Sequence, residues 1–272
     1  MQSPLVSIIV PCYNQGQYID ECLQSIIEQS YTHWECIVVN DGSNDDSQEH
    51  INGWKKKDKR ISSISIKNGG VSQARNLGIS LAQGIFILPL DADDKISKLY
   101  VHLCVSAFIS DPELMLVYAN AEKFGIVNGF WELPEFSLRQ LCKGNLIYNC
   151  AMYRKEDFLK VGGYDIQMKI GLEDWEFWIH LLKNNPKVYK IPDVCFYYRI
   201  KESSRNSSYS LDQEIELKRY ISRKHVDVFL NLLGDFPQTL TTMDQLSAKN
   251  QGYSLKYKPT FKNKIRFLLG LT

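Results

Sequence analysis

A short apolar run that ends in three carboxylates is the feature that most constrains the fold of this chain. Residues 85–94 read Ile-Phe-Ile-Leu-Pro-Leu-Asp-Ala-Asp-Asp and follow Gly84. An apolar run of this length predicts a buried strand of a parallel sheet and not a membrane span. Ligands of open α/β sheets bind at the carboxyl ends of the strands, so we expect Asp91 and Asp93 to converge there. Oxygen ligands of this kind favour Mg²⁺ or Mn²⁺, although a solvated loop that caps a helix is the alternative.

The first 110 or so residues alternate between short apolar runs and amphipathic segments. This alternation predicts an α/β fold with a doubly wound, mostly parallel sheet. The predicted strands cover residues 6–10, 35–40, 61–67 and 85–90, and the predicted helices cover 19–27, 46–57, 71–81 and 96–110. A polar residue follows each strand, namely Tyr13 with Asn14, Asp41, Asn68 and Asp91. If the strands are parallel, these residues share one edge with Arg75, and such a set suits a nucleotide diphosphate.

Beyond residue 111 the alternation breaks, and the pattern predicts a second half that is built differently. Strands are expected at 114–120, 149–153, 187–191 and 194–200, with an irregular segment from 122 to 136. A predicted helix at 175–182 has Glu173 and Asp174 in its first turn, where the helix dipole favours carboxylates. A further helix is expected over 211–233, although its pattern does not assign a buried face.

Charge and cysteine content exclude several classes of function. The chain has 272 residues and a formal net charge of +1, so no positive field favours nucleic acid as a partner. Its seven cysteines are scattered and lack a Cys-x-x-Cys pair, which indicates reduced thiols and neither a disulfide framework nor a zinc site. We find no signal-peptide pattern and no apolar stretch of about 20 residues, so we expect a cytoplasmic protein.

Five motifs, taken in order, resemble those of the family 2 inverting glycosyltransferases, which have the GT-A fold. They are Val-Ser-Ile-Ile-Val-Pro-Cys-Tyr-Asn at 6–14, Val-Val-Asn-Asp-Gly-Ser at 38–43, Gly-Gly-Val-Ser-Gln-Ala-Arg-Asn-Leu-Gly at 69–78, Leu-Asp-Ala-Asp-Asp at 90–94 and Glu-Asp at 173–174. The resemblance covers about residues 5 to 200. It implies a Rossmann-like, mostly parallel central sheet with helices on both faces, plus a C-terminal helical extension. We expect residues 1–115 to bind a nucleotide sugar, 116–210 to bind the acceptor and supply a base, and 211–272 to form the extension.

The resemblance implies a nucleotide-sugar donor, usually a UDP-sugar. Tyr13 would cover the base, the carbonyl of Pro11 would face the nucleoside, and Asp41 would hydrogen-bond the edge of the uracil. Asn68 and Arg75 would help to hold the base or the diphosphate. Two alternatives stay open, because Asp41 could only shape a turn and Arg75 could be a surface residue of its helix.

The resemblance also implies the groups that carry out the reaction. Asp91 would reach the ribose or a metal-bound water, and Asp93 would bind the Mn²⁺ or Mg²⁺ that bridges the two phosphates. Asp94 is expected to cap the following helix instead. An acceptor hydroxyl must lose its proton as it attacks the anomeric carbon, and Asp174 is the expected base. Glu173 would orient Asp174 or contact the acceptor; the alternative is that both carboxylates only begin a helix.

Lys201 is a departure from the family pattern. Many relatives have a histidine that assists the metal shortly after the Tyr-Arg that ends the last strand, whereas here the sequence is Tyr198-Arg199-Ile200-Lys201. We therefore assign no third metal ligand, and we expect that a lysine at this position could neutralise diphosphate charge directly. The polar segment 202–210 is predicted to be a lid over the donor.

The C-terminal residues 245–272 include six basic residues and no acidic ones. Within residues 261–272, four apolar side chains fall on one helical face, namely Phe261, Ile265, Leu268 and Leu269. This pattern is typical of a helix on an anionic membrane surface, which would suit a lipid-linked acceptor and a peripheral location on the inner face of the cell membrane. The same face could equally pack on the catalytic domain or on a partner subunit.

Together these features predict a metal-dependent inverting transferase of a hexosyl or N-acetylhexosaminyl group. It would act on a hydroxyl of a glycan or lipid-linked acceptor in surface polysaccharide synthesis. The alternative is a non-catalytic subunit of a glycan-assembly complex that binds the nucleotide sugar, although intact Asp91, Asp93 and Asp174 argue against it. A nucleotidyltransferase and a dinucleotide oxidoreductase are disfavoured, because residues 11–16 are not a glycine-rich phosphate loop and no Gly-x-Gly-x-x-Gly follows a strand.

Overall fold

The computed structural model of the chain describes residues 3–184, 186–202, 210–234 and 236–256. The chain divides between Lys224 and His225 into two compact units. The boundaries predicted near residues 115 and 210 both fall within the first unit and stay predictions. The predicted lid, apart from residues 202 and 210, and the predicted membrane segment 261–272 lie outside the described residues.

Four parallel strands form the first half of the sheet, where the apolar runs predict them. They are β1 (Val6–Cys12), β2 (Trp34–Asn40), β3 (Ile61–Ser65) and β4 (Phe86–Pro89). Consecutive strands are connected by α1 (Gly16–Ile27), α2 (Ser47–Lys57) and α3 (Val71–Leu81). The spatial order is β3-β2-β1-β4, and all neighbours in this series are parallel. Their carboxyl ends therefore open on one edge of the sheet.

The second half of the sheet mixes parallel and antiparallel strands. Its elements in chain order are β5 (Lys95–Ile96), α4 (Tyr100–Ser110), β6 (Leu116–Gly125), β7 (Gly129–Trp131), α5 (Leu138–Lys143), β8 (Met152–Arg154), α6 (Lys155–Val161), α7 (Glu173–Leu182) and β9 (Val188–Ile200). Among the described residues the sheet has the order β3-β2-β1-β4-β8-β6-β9-β5, and β7 pairs with β6. Strand β8 is antiparallel to β4 and β6, whereas β6 and β9 are parallel. A mostly parallel sheet with helices on both sides confirms the predicted fold class.

The segment 122–136, which was predicted to be irregular, contains the end of β6 and all of β7, and three further elements differ from the prediction. Residues 187–191 and 194–200 do not form two strands, because the pairing with β6 skips Pro192 and Asp193 as a bulge and β9 continues. Ile96, which was expected in a helix, lies in β5. The helix predicted over 211–233 is two helices, α8 (Leu211–Lys224) in the first unit and α9 (Val226–Leu233) in the second, which also contains α10 (Phe236–Lys256).

Helix α3 packs tightly on the sheet, and this contact positions Arg75. A methyl group at Gly78 would lie 2.5 Å from Ile9 Cγ2 and 3.1 Å from Val39 Cγ2, so any larger residue would push the helix away from β1 and β2. Residues three apart share one face of a helix, so Arg75 lies on the same buried side as Gly78. Arg75 is accordingly only 1% exposed.

The seven cysteines are all buried and free, in agreement with the prediction of reduced thiols. Burial raises the pKa of the Cys12 thiol to about 11, which keeps it protonated at neutral pH. In the part of the chain that the structure describes, no helix combines the length and the apolar character needed to cross a membrane.

Candidate active site

A cleft of about 850 Å³ lies at the carboxyl ends of β1, β2 and β4. All nine residues predicted to form the site line this cleft. Pro11 comes from the end of β1, and Tyr13 and Asp41 come from the loops after β1 and β2, whereas Asp174 comes from the start of α7 in the second half of the chain. The fold therefore brings the predicted donor-binding groups and the predicted base into one cavity.

The loops after β1 and β2 carry the residues predicted to bind a nucleoside. Tyr13 is 45% exposed, so its ring is available to a flat base. Asp41 is buried, and its carboxylate accepts the backbone N–H groups of Gly69 at 2.8 Å and Gly70 at 2.9 Å. Asn68 donates from Nδ2 to the backbone carbonyl of Asp41 at 2.9 Å. Asp41 therefore does more than shape its own turn, because it ties the loop after β2 to the loop before α3.

Arg75 lies between two carboxylates from different halves of the chain. Its Nη2 donates to Asp91 Oδ1 at 2.7 Å, and its Nη1 donates to Glu173 Oε1 at 2.8 Å. Burial alone would lower the pKa of the guanidinium, but the two carboxylates outweigh burial and raise it. The alternative that Arg75 is a surface residue is therefore wrong. Glu173 is 2% exposed and is an ion-pair partner of Arg75, and its predicted role in orienting Asp174 or contacting an acceptor stays a prediction.

Asp174 holds its carboxylate at the wall of the cleft, at the start of α7. Burial, and after it repulsion from Glu173, raises the pKa of Asp174 from its ordinary 3.8 to about 6, although Arg75 acts in the opposite direction. Oδ2 accepts a hydrogen bond from Asn145 Nδ2 at 2.9 Å, and Oδ1 accepts the N–H of Trp175 at 2.8 Å. A carboxylate with this pKa is ionised at neutral pH and still basic enough to take a proton.

The carboxylates of Asp93 and Asp94, which follow β4, have different partners. Asp93 Oδ2 lies 2.6 Å from Lys201 Nζ, just beyond the end of β9. Asp94 is buried, and its Oδ1 accepts the backbone N–H of Arg199 at 2.8 Å. Burial, and after it repulsion from Asp93, raises the pKa of Asp94 well above its ordinary value. The prediction that Asp94 caps a helix is wrong, because α4 begins only after β5 and Asp94 holds the end of β9 instead.

Asp91 and Asp93 are the residues whose chemistry suits a divalent cation. Within residues 3–184, 186–202, 210–234 and 236–256, no group of three His, Cys, Asp or Glu side chains could hold a metal. Two carboxylates supply part of the oxygen shell of Mn²⁺ or Mg²⁺, and a bound diphosphate could supply further oxygens. Arg75 and Lys201 already contact these carboxylates, so the pair fits a metal only when Lys201 leaves Asp93.

An aromatic wall that the sequence analysis did not predict forms part of the cleft. Trp131 and Tyr198 lie with their ring centroids 5.0 Å apart, and Tyr148 stacks on Phe196 at 4.2 Å. All four residues line the cleft. They come from β7, from β9 and from the segment before β8, and aromatic side chains are common linings of ligand sites.

Asn145 and Leu172 are site residues that sequence reasoning missed. Asn145 contacts the carboxylate of Asp174, but it lies in a segment without apolar periodicity, so no pattern marks it. Leu172 directly precedes α7 and has φ of 61°, a left-handed conformation that costs a non-glycine residue about 1–3 kcal/mol and recurs at functional sites. Trp175 is buried and donates from Nε1 to the carbonyl of Leu141, so its role is structural.

The sequence is similar to that of a known protein family. Residues 7–176 match the profile of the family described as Glycosyl transferase family 2. The chondroitin synthase of Pasteurella multocida (strain Pm70) is 30% identical over 217 residues, which are 78% of this chain and 22% of that protein. The chain thus spans about a fifth of the length of this relative.

Two solved structures share the fold at lower sequence identity. S. aureus TarS 1-349 in complex with UDP-GlcNAc superposes with a TM-score of 0.69 and 21% identity, over 94% of this chain and 74% of the TarS chain. The mannosyltransferase PcManGT from Pyrobaculum calidifontis, in complex with GDP-Man and Mn²⁺, superposes with a TM-score of 0.62 and 18% identity, over 95% and 82% of the two chains. At these identities the similarity shows the fold alone.

Proposed function

The chain belongs to glycosyl transferase family 2, and on this premise we propose that it transfers a sugar from a UDP-sugar to a hydroxyl of a glycan or lipid-linked acceptor. The transfer would invert the anomeric carbon in a single displacement and would serve surface polysaccharide synthesis. The similarity to a chondroitin synthase supports a glycan product. The UDP-GlcNAc complex of TarS, a structural neighbour, supports a nucleotide-sugar donor.

The observation that carries the proposal is the single cleft shared by Asp41, Asp93 and Asp174. A nucleotide sugar needs a pocket for its base, a positive or metal-bound environment for its diphosphate, and room for an acceptor beside the anomeric carbon. The exposed ring of Tyr13 and the carboxylate of Asp41 lie in the loops after β1 and β2 and suit the first requirement. A carboxylate such as that of Asp41 can accept the N–H of a uracil edge.

Asp174 is the group that we propose to deprotonate the acceptor. Its raised pKa of about 6 leaves it ionised at neutral pH, and the bonds from Asn145 and from the Trp175 N–H orient its two oxygens. Proton transfer to a carboxylate held in this way would contribute about 10²–10⁴-fold to the rate. Arg75 joins Asp91 to Glu173, the neighbour of Asp174, so the base is fixed relative to the donor side of the cleft.

A divalent cation, Mn²⁺ or Mg²⁺, is part of the proposal, with Asp93 and Asp91 as the residues that would hold it. Such a cation stabilises the negative charge that develops on a leaving diphosphate. The Mn²⁺ in the PcManGT complex supports a metal in this fold. The contribution of the chain is to present the two carboxylates on one loop after β4.

Contact with a membrane is proposed from the sequence alone. Residues 261–272, which lie outside the described residues, combine apolar and basic side chains with a helical spacing. An anionic surface would attract such a segment. If deletion of residues 261–272 leaves binding to anionic liposomes unchanged, this part of the proposal is wrong.

The donor is tested by thermal denaturation of the full chain with a panel of UDP-sugars and GDP-sugars, each with and without Mn²⁺. A ligand at a hundred times its dissociation constant stabilises the fold by about 2.7 kcal/mol, so the correct donor should raise the melting temperature clearly. We expect UDP-sugars to stabilise the chain and GDP-sugars to have little effect. A panel in which no nucleotide sugar changes the melting temperature would contradict the proposal.

The reaction itself is tested with Asp174→Asn. This variant should still be stabilised by the donor but should release no UDP in the presence of acceptor. The matched control is Asp193→Asn, because Asp193 is an exposed acid that does not line the cleft. A non-catalytic subunit would give the same glycan yield with Asp174→Asn as with the unchanged chain, and that result would reject the enzymatic assignment.

A further inference from the structure

The contact between Lys201 and Asp93 places a cation of the chain itself at the carboxylate that a metal would need. Lys201 Nζ lies 2.6 Å from Asp93 Oδ2 and 3.4 Å from Gln15 Oε1. The side chains of Lys201 and Asp93 are 17% and 21% exposed, so the pair is partly shielded from water. Both residues line the cleft.

The position of Lys201 is set by the sheet and not by a chance surface encounter. Strand β9 pairs antiparallel with β5, which begins directly after Asp94, so the end of β9 runs beside the carboxylate loop. Arg199 reinforces this register, because its backbone N–H donates to Asp94 and its Nε donates to the Asp93 carbonyl at 2.7 Å. The ring of Tyr18 lies 4.7 Å from the Arg199 guanidinium and 5.1 Å from Lys201 Nζ. Lys201 is therefore held within reach of the Asp93 side chain.

The three carboxylates after β4 differ in how readily they can change partner. Asp91 is bound by Arg75, which is 1% exposed and tied also to Glu173, so the guanidinium is held in place and does not follow a ligand into the cleft. Asp94 is buried, and its carboxylate accepts a hydrogen bond from the backbone N–H of Arg199 in β9. Asp93 is the one whose partner, Lys201, sits on a flexible side chain with access to the cleft. Exchange of cations at this loop is therefore confined to Asp93.

We propose that Lys201 is an exchangeable counterion, which competes with a divalent cation for Asp93 and transfers to the diphosphate when the donor binds. In the free protein Lys201 then weakens metal binding, both because it occupies Asp93 and because like charges repel. A diphosphate offers the ammonium an alternative anionic partner and so releases Asp93. The transfer to the diphosphate rests on the proposed function, whereas the competition in the free protein does not.

The test measures Mn²⁺ binding to the full chain by electron paramagnetic resonance of free Mn²⁺, with and without UDP, and needs no turnover. Without UDP, Lys201→Met should bind Mn²⁺ about fivefold more tightly than the unchanged chain, the ratio expected when one partly shielded ion pair is removed. UDP should strengthen Mn²⁺ binding more in the unchanged chain than in Lys201→Met. In the absence of metal, Lys201→Met should bind UDP more weakly.

Lys95→Met is the matched control. Lys95 lies on β5, the strand next to β9, and its ammonium pairs with Glu21 at 3.4 Å and not with Asp93. The variant therefore removes the same charge without changing a partner of Asp93. Lys201→Gln provides a second neutral variant, should Lys201→Met fold poorly. Equal Mn²⁺ affinities for the unchanged chain and both Lys201 variants, or an equal gain with Lys95→Met, would overturn the competition. If UDP binds to no variant, the donor assignment fails while the comparison without UDP still decides the role of Lys201.

Discussion

Replacement of Asp174 by asparagine should stop sugar transfer and at the same time make the fold more stable at neutral pH. The carboxylate is held partly out of water beside Glu173, and both effects raise its pKa from 3.8 to about 6. Folding therefore costs free energy whenever Asp174 is ionised in the folded state. Asparagine has nearly the same shape and carries no charge. Its single carbonyl oxygen can keep only one of the two hydrogen bonds that Asp174 accepts, from Asn145 and from the Trp175 N–H, and the loss of the other bond costs the same at every pH.

The size of this gain in stability follows from the shift in the pKa of Asp174. A rise from 3.8 to about 6 is roughly two units, and about 1.4 kcal/mol per unit gives a ceiling near 3 kcal/mol. Because the Asp174 side chain is not fully buried, solvent screening reduces this figure to about 1–2 kcal/mol. For an acid whose folded pKa is raised, the cost is absent below the unfolded pKa, grows from about pH 4, and levels off above about pH 6. The gain from Asp174→Asn should follow the same curve.

The assay is urea denaturation of the unchanged chain and of Asp174→Asn at pH 4 and at pH 8. The matched control is Asp165→Asn. Burial would raise the pKa of Asp165, but Lys224 Nζ at 2.6 Å, the N–H of Gln167 and the hydroxyl of Tyr220 outweigh burial and lower it. Asp165→Asn should therefore reduce stability at pH 8, the opposite sign. If the stability of Asp174→Asn relative to the unchanged chain does not rise from pH 4 to pH 8, the electrostatic account of the site is refuted.

Three further changes test other parts of the cleft. Tyr13→Ala should weaken UDP binding by about 1–3 kcal/mol, the worth of stacking on one base, and leave the melting temperature unchanged, as isothermal titration and thermal denaturation can show. Arg75→Met should destabilise the fold by about 3–5 kcal/mol in urea denaturation, and adding Glu173→Gln to it should recover part of that loss, since the charge left behind is removed. Gly42→Ala should cost more stability and more UDP affinity than Gly70→Ala, because both have positive φ but only at Gly42 would the methyl group lie 2.8 Å from a backbone nitrogen.

The first half of the fold could be predicted from the sequence because its signals are local. The apolar runs of β1, β2 and β4 are short, buried and closely followed by polar residues, whereas β3 shows a weaker alternation; all of these properties depend on neighbours in the chain. Strand β9 was predicted as two strands for the same reason. Pro192 and Asp193 interrupt its pattern locally, whereas the bulge that absorbs them is visible only in the pairing with β6.

The carboxylates after β4 show where local reasoning ends. The spacing of Asp91 and Asp93 indicates a ligand site, but their ionic partners are 16 and 108 residues away along the chain. Aspartate is a common helix-capping residue, yet the partner of Asp94 is the backbone N–H of Arg199, which lies 105 residues further along the chain. A side chain that can make either a local or a distant hydrogen bond cannot be assigned until the distant strand is placed.

The buried ion group of Arg75 explains how the cleft holds Asp174, the proposed base, from one half of the chain in a fixed position relative to the proposed donor site in the other half. Its two carboxylate partners come from the loop after β4 and from the start of α7, and each is fixed by a separate bond to the same guanidinium. Such a group adds little to stability compared with apolar residues of equal volume, because both charges must be removed from water. The ion group instead fixes the geometry of the cleft. Arg75 holds carboxylate oxygens of Asp91 and Glu173 within 2.8 Å of its guanidinium, and Asp174 is the next residue after Glu173. The position of Asp174, the proposed base, therefore depends on an arginine that need not touch either proposed substrate.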